Sequence, residues 1–174
     1  MKNSHHQRDF ISRAGTTMTV VAWLIFLAIL FAGFDFLVSQ RLNPNQNIST
    51  AMNGIQKEVV LQRNTFGHYV THGTINDEQV TFLLDTGATD IAIPETSADR
   101  LKLKKGRSIL VKTANGNVRA YRTRLESVAI GEIRLHDLNA TILTNMAGSD
   151  ILLGMSYLKH FEITQKGKTL TIRQ

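Results

Sequence analysis

The segment Phe82-Leu83-Leu84-Asp85-Thr86-Gly87-Ala88-Thr89-Asp90 holds the chain's best candidates for chemistry. An apolar run leads straight into an acid, then Thr and Gly, and a second apolar run, Ile91-Ala92-Ile93, follows. A carboxylate at the end of a buried strand is costly unless it is hydrogen-bonded or paired. Thr86 can donate a hydroxyl, and Gly87 lets a backbone N–H come close to the carboxylate or to a substrate. The plain reading of Asp-Thr-Gly is a β-turn that opens on Asp, and these three residues alone do not exclude it.

The elements around this segment must position it. From Val59 the chain reads as largely β. Two strand patterns, His68 to Ile75 and Gln79 to Leu84, flank a turn at Asn76-Asp77. Glu95 to Leu103 has helical composition and starts directly after Pro94. Ser108 to Leu125 predicts two strands about Asn115-Gly116, a dipeptide suited to tight hairpin turns. Val128 to Leu143 predicts another pair hinged near Gly131. Gly154 to His160 allows two helical turns, and Phe161 to Ile172 closes with a hairpin turning at Lys166-Gly167.

Ahead of the β region, Thr19 to Phe34 carries no charge, and the apolar run resumes after Asp35. Met18 to Val38 supplies the roughly 20 residues that a membrane-spanning helix requires. Lys2, Arg8 and Arg13 precede it and only Arg41 follows closely, which predicts a cytoplasmic N-terminus. A cleaved signal peptide is the alternative, but no clean A-x-A site follows the run. The expected organisation is a cytoplasmic tail over 1–17, a membrane helix over 18–38, a polar linker over 39–57 and one domain over 58–174.

Composition narrows the function classes. The 174 residues include no cysteine, which removes disulfides and thiolate metal sites, and the net charge is +6. The densest basic run, Arg100 to Arg107, has no interleaved aromatic residues, so it reads as a solvated face and no nucleic-acid partner is expected. His68 and His72 belong to no metal-binding pattern, and neither a metal nor another cofactor is expected.

Taken together and in order, Asp85-Thr86-Gly87-Ala88-Thr89, Ala92-Ile93-Pro94, Thr113-Ala114-Asn115-Gly116 and Leu152-Leu153-Gly154-Met155-Ser156-Tyr157-Leu158 form a pattern. With these pieces the chain resembles the retropepsin-like aspartic proteases, specifically the short bacterial members with an N-terminal membrane anchor. The resemblance covers roughly Val59 to Ile172. It implies a mostly β, closed, barrel-like acid-protease half with one or two short helices, preceded by one transmembrane helix.

It also implies roles. Asp85 would be the catalytic aspartate, and Thr86 would lock two active-site loops together. Gly87 would meet substrate backbone, and Ala88, Thr89 and Asp90 would line the cleft floor. Asn115 and Gly116 would form the flap tip, and Gly154 would permit a close approach behind the active-site loop. Such proteolysis needs two carboxylates sharing a proton. Asp77, Asp137 and Asp150 are not followed by Thr/Ser-Gly, so the second acid is expected from a second copy in a C2 homodimer. The C-terminal hairpin departs from the retroviral pattern and predicts a different dimer interface. The implied substrate is a protein or peptide, periplasmic or close to the membrane, cut by an enzyme held in the inner membrane. A non-catalytic retropepsin-like module that binds peptides is the alternative.

Overall fold

The computed structural model describes residues 4–48, 50–53, 56–113 and 116–174. It divides into two compact units, Met1–Gln40 and Arg41–Gln174. The first is built on helix α1 (Ser4–Leu42). Within α1, Thr17–Leu42 is long and apolar enough to cross a membrane. These 26 residues extend ~39 Å, more than a ~30 Å hydrocarbon layer. The large side chains Trp23, Phe26, Phe31 and Phe34 are all exposed, as befits a helix that is apolar all round and has no protein core to bury it. Because α1 begins at Ser4, most of the stretch expected as a tail is helical.

Among the described residues the second unit contains eleven strands. β1 (Thr50–Asn53) and β2 (Gln56–Gln62) pair antiparallel. β3 (Val70–Ile75) and β4 (Glu78–Leu84) form a hairpin whose two loop residues, Asn76 and Asp77, have φ of 50° and 66°, the left-handed pair that a two-residue hairpin turn requires. β5 (Ile91–Pro94) leads into α2 (Glu95–Arg100). The sequence predicts α2 to reach Leu103, but Lys102 turns left-handed with φ of 53° and ends it earlier. β6 (Ser108–Thr113), β7 (Gly116–Ile130) and β8 (Ile133–Leu143) follow, then β9 (Ile151–Leu153), α3 (Met155–Leu158), β10 (Glu162–Lys166) and β11 (Thr169–Arg173).

The main sheet has the order β3-β4-β9-β5-β8-β7-β6. It closes on itself because β3 also pairs with β7, through Thr74↔Ala129 and Ile75↔Val128. Six strands therefore make a small barrel, and the β6–β7 hairpin projects from it. β4 runs parallel to β9, and β5 parallel to β8. The interior holds Phe82 from β4, Ile91 and Ile93 from β5, Leu125 from β7, Ile142 from β8 and Tyr157 from α3, each without measurable exposure. This is the mostly β, closed, barrel-like half expected from the sequence, with two short helices beside it.

β7 is one strand where the sequence suggests two. Its apolar alternation fails at Ser127-Val128-Ala129-Ile130, all of which are buried. There successive side chains, which point to opposite faces, are all buried, so both faces of β7 are covered and the two-residue period disappears.

A second sheet, β1-β2-β11-β10, packs Val59, Leu61, Leu170 and Ile172 into the same core. Its first strand lies inside the segment expected to be a plain tether. That segment is also fastened by Asn45, which is buried. Its side chain donates to the carbonyls of Gln62 (2.9 Å) and Val70 (2.7 Å) and accepts from the Gln62 N–H (2.6 Å). Asn45 thus imitates one residue of strand between β2 and β3. Replacing it by Ala would leave three backbone groups without partners. We expect Asn45→Ala to cost about 2–4 kcal/mol of stability, seen as a lower urea midpoint for the full chain in nonionic detergent. An unchanged midpoint would show that water satisfies these groups equally well.

Candidate active site

β4 delivers Asp85. Val80 and Phe82 face the core, and Leu84 pairs with Leu153 at the end of the parallel β4–β9 ladder. The Asp85 N–H still donates to the Leu153 carbonyl (3.2 Å), so the residue leaves the sheet with its backbone fixed. The chain then turns sharply. The Ala88 N–H donates to the Asp85 carbonyl (3.2 Å), and the Gly87 N–H donates to Asp85 Oδ1 (2.9 Å). The β-turn that opens on Asp is therefore present, and it orients the half-buried carboxylate. The second carboxylate oxygen takes no hydrogen bond from the described residues. Thr86, Gly87 and Thr89 are exposed, Ala88 is half-buried, and the Thr86 hydroxyl bonds to none of the described residues.

The turn is held from behind by the chain entering α3. Met155 N–H donates to the Ala88 carbonyl (2.8 Å) and Ser156 N–H to the Thr89 carbonyl (2.9 Å). The Ser156 hydroxyl accepts from the Ile91 N–H (3.0 Å). This approach requires a residue without a side chain at 154. A Cβ there would collide with the Asp90 carbonyl and sit 2.6 Å from that of Ala88. Tyr157 anchors the short helix: its buried hydroxyl donates to the Ile133 carbonyl (3.2 Å), and burial pushes its pKa well above the ordinary phenol range. It stays a neutral donor.

Asp90, read from the sequence as part of the cleft floor, is tied to the barrel wall. Its Oδ2 accepts from Arg122 Nη1 of β7 (3.0 Å) and from the Thr141 hydroxyl of β8 (3.2 Å). Neither partner was legible beforehand, since Arg122 lies 32 residues away in sequence with no motif around it. Ser156 lies in the stretch Leu152-Leu153-Gly154-Met155-Ser156-Tyr157-Leu158, but nothing in that stretch marks its hydroxyl as an acceptor for the Ile91 N–H.

Of the flap pair, Gly116 opens β7 with φ of 101°, and its carbonyl accepts from the Thr113 hydroxyl (2.9 Å). Asn115 lies outside the described residues. On the opposite strand of this hairpin, Leu110 is exposed.

The other acids weighed from the sequence are placed elsewhere. Asp77 pairs with Arg134 (2.6 Å) and Asp137 with Arg124 (2.7 Å), both on the surface. The hydrogen bond from the Arg124 guanidinium holds the Asp137 carboxyl below the usual carboxylate range, which keeps it ionised. Asp150 is exposed immediately before β9.

The support by Gly154 can be tested. Gly154→Ala would force the β9–α3 turn away from the Asp85 loop, and we expect a loss of about 3 kcal/mol or failure to fold. Gly148→Ala, at a glycine with open space around it but φ of 85°, should cost less, about 1 kcal/mol. Equal unfolding midpoints for the two variants would show that the close approach is not a constraint.

Comparison with known proteins agrees with this arrangement. The family model described as "gag-polyprotein putative aspartyl protease" matches residues 71–160, more than half of the chain. The chain is 34% identical over 113 residues to an uncharacterized protein from the cobV 5' region of a Sinorhizobium species, covering 63% of this chain and 48% of that protein. It is 31% identical over 164 residues to the uncharacterized protein RP867 of Rickettsia prowazekii (strain Madrid E), covering 86% of this chain and 68% of that one. The matches thus span about half the length of the first relative and about two thirds of the second. The crystal structure of a retropepsin-like aspartic protease from Rickettsia conorii superposes with a TM-score of 0.56 at 28% identity, over 73% of this chain and 94% of that chain. The closed barrel, the Asp85-Thr86-Gly87 turn and these matches converge, and the chain belongs to the retropepsin-like, gag-type aspartyl protease family.

Proposed function

We propose that this protein is a membrane-anchored aspartic endopeptidase whose active site forms where two copies of the chain bring their Asp85 carboxylates together. The observation that carries the reading is the state of the Asp85 turn. It is rigidly backed by Gly154 to Ser156, one carboxylate oxygen is oriented by Gly87 N–H, and the other oxygen and the Thr86 hydroxyl have no partner among the described residues. A preorganised acid with an open oxygen, beside an unused hydroxyl, suits a twofold axis on which a second copy supplies both missing partners.

In the pair, two carboxylates in close proximity share one proton. The ionised member accepts a proton from water as the water oxygen bonds to the scissile carbonyl carbon. The protonated member donates its proton to the carbonyl oxygen. As the tetrahedral intermediate collapses and the C–N bond breaks, the amide nitrogen takes the proton that the dyad gained from water, and a gem-diol hydroxyl gives its proton back to the dyad, which returns to its shared-proton state. Gly87 would meet substrate backbone, with Ala88, Thr89 and Asp90 beneath it and the hairpin about Asn115-Gly116 above. The C-terminal strand β11 is already paired on both edges, with β10 and with β2. This supports an interface unlike one assembled from the termini of both chains.

The 26-residue apolar stretch of α1 and the basic residues before it support a single-pass anchor in the inner membrane, with the N-terminus cytoplasmic and the catalytic domain periplasmic. The substrates are then periplasmic or membrane-proximal proteins. Anchoring both copies in one membrane raises their effective concentration and lessens the affinity the dimer needs.

Asp85→Asn keeps the turn's shape but cannot act as base, so proteolysis of an unfolded protein should vanish while folding is retained. Co-refolded mixtures of wild-type and Asp85→Asn chains separate a shared site from a complete one. With random pairing, an even mixture keeps about a quarter of full activity if each site needs two Asp85, and about half if each chain is self-sufficient. A linear dependence on the wild-type fraction would refute the shared dyad. For topology, a reporter active only outside the cytoplasm and fused after Gln174 should be active. Activity of a cytoplasmic reporter alone would reverse the proposed orientation.

A further inference from the structure

The basic run over Arg100 to Arg107, a solvated face by its sequence alone, forms one bank of a groove. The cavity measures about 500 Å³ and lies over β7 between Arg122 and Glu126, with the loop that carries Lys102 and Lys104 on one side and Asn76 at its far end. Four cations line it, Lys102, Lys104, Arg122 and Arg124, against the single carboxylate of Glu126.

The groove exists because β7 changes partners. On this edge β7 pairs with β6 only as far as Tyr121, and with β3 only from Val128. Each end of the gap is capped. Gly106 N–H donates to the Arg122 carbonyl (2.8 Å) and Arg122 N–H to the Arg107 carbonyl (3.0 Å). At the other end, Asn76 Oδ1 accepts from the N–H groups of Glu126 (2.9 Å) and Ser127 (3.1 Å). Between the caps the backbone of Arg124 has no strand opposite it, along ~13 Å of strand, room for two or three residues of extended chain.

The cations differ in availability. Arg122 and Arg124 are engaged with Asp90 and Asp137, and neighbouring Lys105 is held by Glu95 (2.7 Å) and Asp99 (3.3 Å). Lys102 and Lys104 are exposed and have no ion pair among the described residues. Two uncommitted ammonium groups therefore face an open stretch of strand edge. Arg122 links that stretch directly to Asp90 of the active-site loop.

We infer that this groove binds an acidic, extended segment of the substrate outside the bond that is cut, with its carboxylates on Lys102 and Lys104 and its main chain on the open β7 edge. Strand edges recognise extended peptides through main-chain hydrogen bonds, and the flanking side chains set the preference. Here those side chains select acids. The inference rests on the peptidase reading for the identity of the ligand, but its test reads affinity and not turnover.

The full chain carrying Asp85→Asn, in nonionic detergent, is titrated with two dye-labelled peptides. They share a central sequence and differ only in flanking residues, Glu in one and Gln in the other. At low salt the Glu peptide should bind about fivefold tighter, with the preference shrinking as salt rises. Adding Lys102→Gln and Lys104→Gln should bring the ratio to about one. The control pair Lys166→Gln and Lys168→Gln, exposed at the C-terminal hairpin turn, removes the same charge and should leave the preference in place. Equal binding of the two peptides would overturn the inference, as would a preference that falls equally in both variants. If the groove preference holds while the wild-type chain cleaves neither peptide nor any unfolded protein, the peptidase reading fails and the groove stands.

Discussion

Everything at the candidate site depends on two stretches of backbone coming closer than a side chain would allow. Gly154 brings the chain between β9 and α3 against the carbonyls of Ala88 and Asp90, and the following two N–H groups bond to the loop. With those bonds the Asp85 turn becomes part of the barrel wall and ceases to be a free loop. The same passage starts α3, whose Tyr157 fills the core and reaches the Ile133 carbonyl at the start of β8. One residue type at one position thus fixes the carboxylate's bearing, the course of a helix and part of the interior packing.

A second coupling runs through β7. Its fifteen residues begin at the projecting hairpin, pass Arg122 with its ion pair to Asp90 of the Asp85 loop, and end where β3 closes the barrel. The hairpin and the residue that pins the Asp85 loop therefore lie on one continuous strand. Thr141 of β8 reaches the same Asp90 oxygen, so the loop is pinned from two adjacent strands. An exposed ion pair of this kind adds little to stability. Its geometric effect is larger, since it sets the spacing between the loop and the wall.

The sequence was most informative where local chemistry and tertiary structure agree. The Phe82 to Asp85 strand end, the Asn76-Asp77 turn, the helix after Pro94 and the closing hairpin each carry their own backbone preference, and each is present, the last turning at Gly167-Lys168, one residue beyond the expected Lys166-Gly167. The misses share a different cause. Short strand β1 and the clamp made by Asn45 sit in a polar stretch whose composition suits a tether, and only partners far along the chain give them structure. β7 looked broken at Ser127 because burial on both faces erases its periodicity. The Arg122–Asp90 pair joins residues with no local signal at all. Long-range pairing of polar groups leaves almost no trace in a single sequence.

The clamp at Asn45 bears on how far such an enzyme could search. Leu42 ends α1, and Asn45 is already bonded between β2 and β3, so at most ~10 Å of chain separates the helix from the folded unit. A free linker over residues 39–57 would instead add roughly 24 Å of root-mean-square reach. The folded unit itself has a radius of gyration of about 14 Å. For a chain anchored as proposed, so short a connection would limit the reach of the cleft far more than a free linker does. Proteins beyond that reach would escape it whatever their sequence, so the length of the connection would act as a first filter of specificity, ahead of any side-chain pocket.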